Sequence, residues 1–261
     1  MNLELITFVP AFFSISITFF MCVGWLFGRY RLKKNDASEG MMRDSLLTAI
    51  FGLSALVLGF TFSNASNHYD IRNESIRAQA NAIKEVYVST QYLQSSDQTA
   101  LKESLRELLS FRINAYSNLK SLNDIDIAAE KIAILVRQIN VAASKAVANA
   151  SAENKAILFE TFTLPMRNLV AVFNLDTIKT KTHPPVVMMR FLYALLCVSA
   201  LLIGYTMALN SEGDWFLSTV YVLLMGLGLY VILSLEYPNL LMPFDEFNKE
   251  LVQLKSALSP I

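Results

Sequence analysis

Four stretches of this chain, 5–28, 45–69, 191–211 and 215–235, contain no Asp, Glu, Lys or Arg. Such runs constrain the fold severely. A helix rising about 1.5 Å per residue needs about 20 apolar residues to cross about 30 Å of hydrocarbon, and each of the four reaches that length. The chain therefore reads as an all-α, four-pass membrane protein whose first partner is the lipid bilayer.

Between the second and third runs lies a different kind of sequence. The chain is 54% hydrophobic yet 17% charged, and segment 70–185 carries most of the charge. The expected organisation is a first transmembrane pair over 1–69, an extramembrane helical domain over 70–185, a second pair over 186–236 and a C-terminal tail over 237–261. Net charge is zero, which argues against nucleic acid as a partner. Cys22 and Cys197 both fall inside expected spans and read as small hydrophobes, with no disulfide or metal framework. The N-terminus lacks the basic opening of a secretory signal, so the first run is read as a permanent span.

From Phe60 to Leu164 there is neither glycine nor proline, the residues that most often punctuate strands and loops. That segment is expected to be nearly all helix. Leu101, Leu105, Leu108, Arg112, Tyr116 and Leu119 recur at helical steps, as do Ile125, Ala128, Ile132, Leu135, Ile139, Ala142 and Ala146. Breaks are expected at Ser95–Gln98, where Ser95 and Gln98 form a capping box, at Asn123-Asp124, and over 149–154. Pro165 is expected to kink the last helix of the insert, and His183-Pro184-Pro185 to give an extended entry to the third span. After Pro238 and Pro243, the run Phe247, Leu251, Leu254 and Leu258 has helical spacing and is expected to pack on the insert.

The second span has nothing to stop it at the membrane surface, and one long helix is expected from Ser45 through Ser95. At about 100° per residue, Leu53, Leu56, Phe60, Asn64, Asn67, Ile71, Glu74 and Ala78 share a stripe. It is apolar first, then polar, then acidic. One reading is ordinary packing, with Gly52 and Gly59 permitting close helix contact. The other is a pore: copies of this helix place Leu53, Leu56 and Phe60 in rings that gate by dewetting, and Asn64, Asn67 and Glu74 meet the ion.

Enzymatic chemistry finds no foothold. There is no nucleophile motif or Gly-rich phosphate loop, and His68 and His183 are the only imidazoles, too far apart in sequence for a paired-histidine metal helix. No catalytic residue, cofactor or metal site is expected. Glu85, Glu103, Glu107 and Glu160 read as solvated helix surface.

Ile50-Phe51-Gly52-Leu53-Ser54-Ala55-Leu56-Val57-Leu58-Gly59-Phe60-Thr61-Phe62-Ser63, then His68-Tyr69-Asp70-Ile71-Arg72, then Ala80-Asn81-Ala82-Ile83 together resemble a bestrophin-like family of bacterial membrane proteins. The basic loop before the second span and the Pro238–Pro243 stretch look like the same pattern, whose motif residues here are Gly59, Tyr69, Asp70, Arg72 and Asn81. The resemblance implies a homo-oligomer, by analogy with pentameric bestrophin channels, that passes small inorganic ions through a hydrophobic neck on the second span. It carries Leu56 and Phe60 onto neck positions and the third onto Gly52, a departure that hands the role to Leu53. It also implies a bacterial inner-membrane protein with insert and termini in the cytoplasm. Local charge is divided: Arg29, Arg31, Lys33, Lys34 and Arg43 favour the opposite orientation, whereas Arg72, Arg77, Lys84, Lys179, Lys181 and Arg190 flanking the insert favour this one. Glu74 lies on the stripe beyond the neck, and cations are expected over anions. The competing expectation is a non-conducting membrane-anchored scaffold or sensor whose insert docks a protein partner.

Overall fold

The computed structural model describes residues 8–33, 40–119, 122–150, 152–179, 186–209 and 215–258. Among these the chain is all helical, with no strand. In chain order the main elements are α1 (Val9–Lys33), α2 (Gly40–Ser89), α3 (Ser95–Ser117), α4 (Leu122–Ala148), α5 (Ala152–Leu158), α6 (Leu164–Lys179), α7 (Val186–Leu209) and α8 (Trp215–Glu236). Short helices α9 (Pro238–Leu241) and α10 (Phe244–Phe247) lead into α11 (Lys249–Leu258). Lys34, Ser151 within the 149–154 break, and His183-Pro184-Pro185 lie outside the described residues.

Four helices are expected to be long and apolar enough to cross a bilayer, and the described residues hold five: Val9–Lys33, Leu47–Tyr92, Asn154–Leu175, Val187–Leu209 and Phe216–Glu236. The additional one escapes a search for charge-free runs because Lys155, Glu160 and Arg167 interrupt it. Its mean hydropathy is nonetheless high, at 1.3.

The chain divides into two compact units. One is built from the described residues within 5–68 and 183–236, the other from those within 69–182 and 237–261. In the first, apolar unit, the core is Ile17 and Met21 of α1, Ala65 of α2, Leu192, Leu196 and Ala200 of α7, and Leu229 and Ile232 of α8. Polar burial between bilayer-length helices is not driven by water, so small residues and hydrogen bonds set how closely they approach. A methyl added at Gly24 would sit 1.9 Å from the Leu201 carbonyl oxygen, and one at Gly204 would sit 1.9 Å from that of Met21. One turn along, Gly28 faces Ala208 and Tyr205. These glycines bring the α1 and α7 backbones into direct contact. Ser16 is hydrogen-bonded to the Tyr193 hydroxyl, and Arg31 donates to the Tyr205 hydroxyl at 2.6 Å, so the same two helices are tied at several levels.

The central unit buries the stripes that spacing marks out. Leu101, Leu105, Leu108, Arg112 and Tyr116 of α3 are all buried, as are Ala128, Ile132, Ile139 and Ala146 of α4. On α4 the buried face runs through Val136 and Ala143, whereas Ala142 is exposed. From Ile139 a step of three or of four is equally helical, and the structure takes four. The start of α3 falls at Ser95, but Gln94 is the N-cap and no side chain caps it; the Gln98 amide instead bonds the Gln94 carbonyl at 2.8 Å. The expected capping box is not formed.

Pro165 acts one turn upstream of itself. Between α5 and α6 the backbone widens into a π-turn over Phe159–Thr163, closed by the Leu164 amide on the Phe159 carbonyl. Proline has no amide to offer the preceding turn and its ring crowds the carbonyl there, and one wide turn accommodates both effects without breaking the helix. Leu158, Phe162, Met166, Leu169 and Phe173 therefore remain on one face, in the core of the central unit. The tail completes that core: Phe247, Leu251 and Leu254 are buried in it, with Leu258 packed alongside. Arg106 of α3 donates to the Leu258 carbonyl at 2.7 Å.

Candidate pore-lining face of α2

As expected, nothing stops the second span at the membrane surface: α2 is a single helix over Gly40–Ser89, ended by a tight turn at Thr90–Tyr92. What matters is which face it shows. Ser54 and Thr61 are buried, as is Ala65, and Val57 and Leu58 pack against the apolar core. Ser54 donates to the Ile50 carbonyl at 2.8 Å and shares a hydrogen bond of 2.9 Å with Ser199 of α7. Thr61 donates to the Val57 carbonyl at 2.8 Å. Each hydroxyl on the covered side is thus satisfied, as burial in an apolar setting requires. At the end of the same unit, His68 Nδ1 lies 2.8 Å from Glu236 Oε1, both side chains well shielded. This pair joins the two places where the chain leaves the apolar unit.

These anchors fix the rotation of α2 and turn the opposite side outward. Leu53, Leu56 and Phe60 are 45%, 54% and 63% exposed. Gly52 and Gly59 lie on that side with nothing within 4 Å of where a side chain would begin. Along the stripe Asn67 and Glu74 are exposed and Asn64, Ile71 and Ala78 half-buried. None of the eight stripe residues is buried. Arg77, one turn beyond Glu74, is paired with Glu250 of the tail at 3.0 Å.

The motif residues have more local roles. Tyr69 stacks on Phe247 with ring centroids 5.5 Å apart, Asp70 is exposed and Arg72 half-buried. Asn81 lines an open groove of about 570 Å³ with Lys84, Glu85, Val88, Tyr92 and the π-turn residue Thr161. Glu85, Glu103, Glu107 and Glu160 are exposed, and Glu103 meets Arg106 at 3.3 Å one turn along α3. Among the described residues no group of three or more His, Cys, Asp or Glu side chains is placed to hold a metal. Cys22 is exposed and Cys197 buried, both as free thiols.

Three features were not read from sequence. The Ser54–Ser199 bond and the Gly24, Gly28 and Gly204 contacts sit inside charge-free runs, where every residue reads as generically apolar. The small-residue spacing Gly24-x-x-x-Gly28 was the available signal. For His68–Glu236 the signal was weaker: an imidazole and a carboxylate at the edges of two runs.

No family model, curated protein or solved structure matches the chain.

Proposed function

We propose that the protein is a homo-oligomeric, passive ion channel in which α2 from each copy faces a common axis. The observation that carries this reading is the outward turn of Leu53, Leu56 and Phe60 on a helix whose other side is held at Ser54, Thr61 and Ala65. The resemblance to bestrophins supplies the pentamer and the bacterial inner membrane, with insert and termini in the cytoplasm. In such a ring Leu53, Leu56 and Phe60 form a dewetting neck. Gly52, with no side chain, leaves the third expected neck position wide. Asn64 and Asn67 then offer amides to an ion leaving the neck, and Glu74 adds a ring of carboxylates, while Glu250 engages Arg77. That arrangement favours cations over anions.

Four spans rather than five follow from the same reading. Asn154–Leu175 gives Leu158, Phe162, Met166, Leu169 and Phe173 to the core shared with α3 and α4, so its hydropathy is explained by packing in the extramembrane domain. The test is the reversal potential of the reconstituted protein in a salt gradient. Glu74→Gln is expected to shift it toward the anion side with the channel still conducting. An unchanged reversal potential in a conducting variant removes Glu74 from the selectivity account.

A second reading has its own support. Ile127, Ile134 and Val141 on α4 are exposed at seven-residue intervals, and this pattern suits a non-conducting scaffold or sensor whose helical domain docks a protein partner.

A further inference from the structure

The apolar stripe of α3 contains one residue that does not belong to an ordinary core. Leu101, Leu105, Leu108 and Tyr116 are buried as the pattern requires, and Arg112 is buried among them at 3% exposure. Its Nε donates to Oε1 of Gln79 on α2 at 3.0 Å, and Gln79 is itself 0% exposed. The guanidinium lies over the Tyr116 ring, 3.7 Å from its centroid. Two donors remain: Arg112 Nη1 and Gln79 Nε2 are both buried and have no hydrogen-bond partner among the described residues. No carboxylate of the described residues pairs with Arg112.

An arginine does not surrender its proton inside a protein, so this charge persists in a setting where Ile76, Ile83, Leu108 and Leu109, each one turn from Gln79 or Arg112, are buried. The Tyr116 face offsets part of the cost. What remains is specific in kind. The Gln79 carbonyl oxygen already accepts from Arg112, and the unpaired buried atoms of the cluster are donors alone, beside a net positive charge. A water molecule would accept from them but would bring two hydrogens of its own to a place short of acceptors, and would leave the charge uncompensated. A carboxylate from another copy cannot reach a side chain so deeply covered. A polyatomic oxyanion is much larger than a water, and the two side chains are closed in at 3% and 0% exposure. A monatomic anion accepts from both donors, adds no hydrogen, is close to a water in size and cancels the charge.

We infer that the core of the central unit binds a single halide, chloride under physiological conditions, between Arg112 of α3 and Gln79 of α2. The ion bridges the two helices and makes the stability of this unit depend on chloride. This site is separate from the proposed conduction path and does not rest on it.

The test is thermal unfolding of the purified full chain in detergent, with sodium chloride replaced stepwise by sodium gluconate at constant ionic strength. The expected result is a melting temperature that rises by a few degrees with chloride and saturates, with bromide replacing chloride and the bulkier gluconate ineffective. Arg112→Met fills the position without charge, a change buried cores tolerate, and is expected to fold and lose the chloride dependence. Gln79→Leu removes one donor and is expected to raise the half-saturating chloride concentration about tenfold. A wild-type melting temperature equal in both salts overturns the inference. So does a chloride response unchanged in Arg112→Met, or, should that variant not fold, one unchanged in Gln79→Leu.

Discussion

Glycine is found in opposite circumstances on two helices of the apolar unit, and the same substitution separates them. At Gly24 an added methyl meets the Leu201 carbonyl oxygen at 1.9 Å, a backbone atom that has nowhere to go. At Gly52 it meets nothing within 4 Å. Alanine is the better helix former by about 1 kcal/mol, so only packing can reverse its advantage. Gly24→Ala is expected to lower stability by about 1–3 kcal/mol through forced separation of α1 and α7. Gly52→Ala is expected to leave stability unchanged or raise it. Thermal melts of the two detergent-purified variants decide the matter, and a loss at Gly52 would mean that this side of α2 is packed against another helix instead of facing open space. Nothing in the sequence distinguished the two glycines, because each lies in a charge-free run and the difference depends on which helix runs alongside.

The helices of the central unit show where periodicity informs and where it stops. The long silence of glycine and proline specified helices, and the polar cluster at Ser95 marked the start of α3. Register within a face was harder to read. On α4, Ile139 is followed by alanine at both 142 and 143, and either continues a helical stripe; the structure buries Ala143 at 2% exposure and leaves Ala142 outside. The expected outcome is that Ala142→Glu changes stability by less than about 0.5 kcal/mol. Ala143→Glu places a carboxylate in the core beside Phe162 and Met166 and is expected to unfold the unit or destabilise it severely. Chemical denaturation followed by circular dichroism reads both, and equal effects would contradict the observed face. The last helix of the insert is expected from sequence, but its bilayer-length apolarity is hidden for the complementary reason. Its charges interrupt the run without lowering its hydropathy enough to matter, and its identity as core depends on the π-turn at Phe159–Thr163 that keeps Leu158 and Phe162 in line with Met166. Pro165 signalled a distortion, but a proline in sequence does not say whether a helix bends or widens.

For the whole molecule, function turns on what the exposed face of α2 meets. The stripe itself was legible as spacing, and so was its progression from Leu53 to Glu74. Its outward setting was not, because that depends on Ser54 meeting Ser199 and on His68 meeting Glu236, contacts between residues far apart in the chain. If copies of α2 surround an axis, Leu56 and Phe60 are the groups that exclude water from it, and truncating both widens and wets the constriction. They make no contribution to the buried core of a single copy, so their loss should leave the fold intact. The most direct measurement is ion flux through purified protein in sealed liposomes, comparing the wild type with Leu56→Ala/Phe60→Ala at matched reconstitution. Flux is expected to rise several-fold in the double variant while oligomeric state and melting temperature are preserved. Flux that is absent from both proteins under every gradient, with both still folded and oligomeric, would contradict a conducting pore along α2.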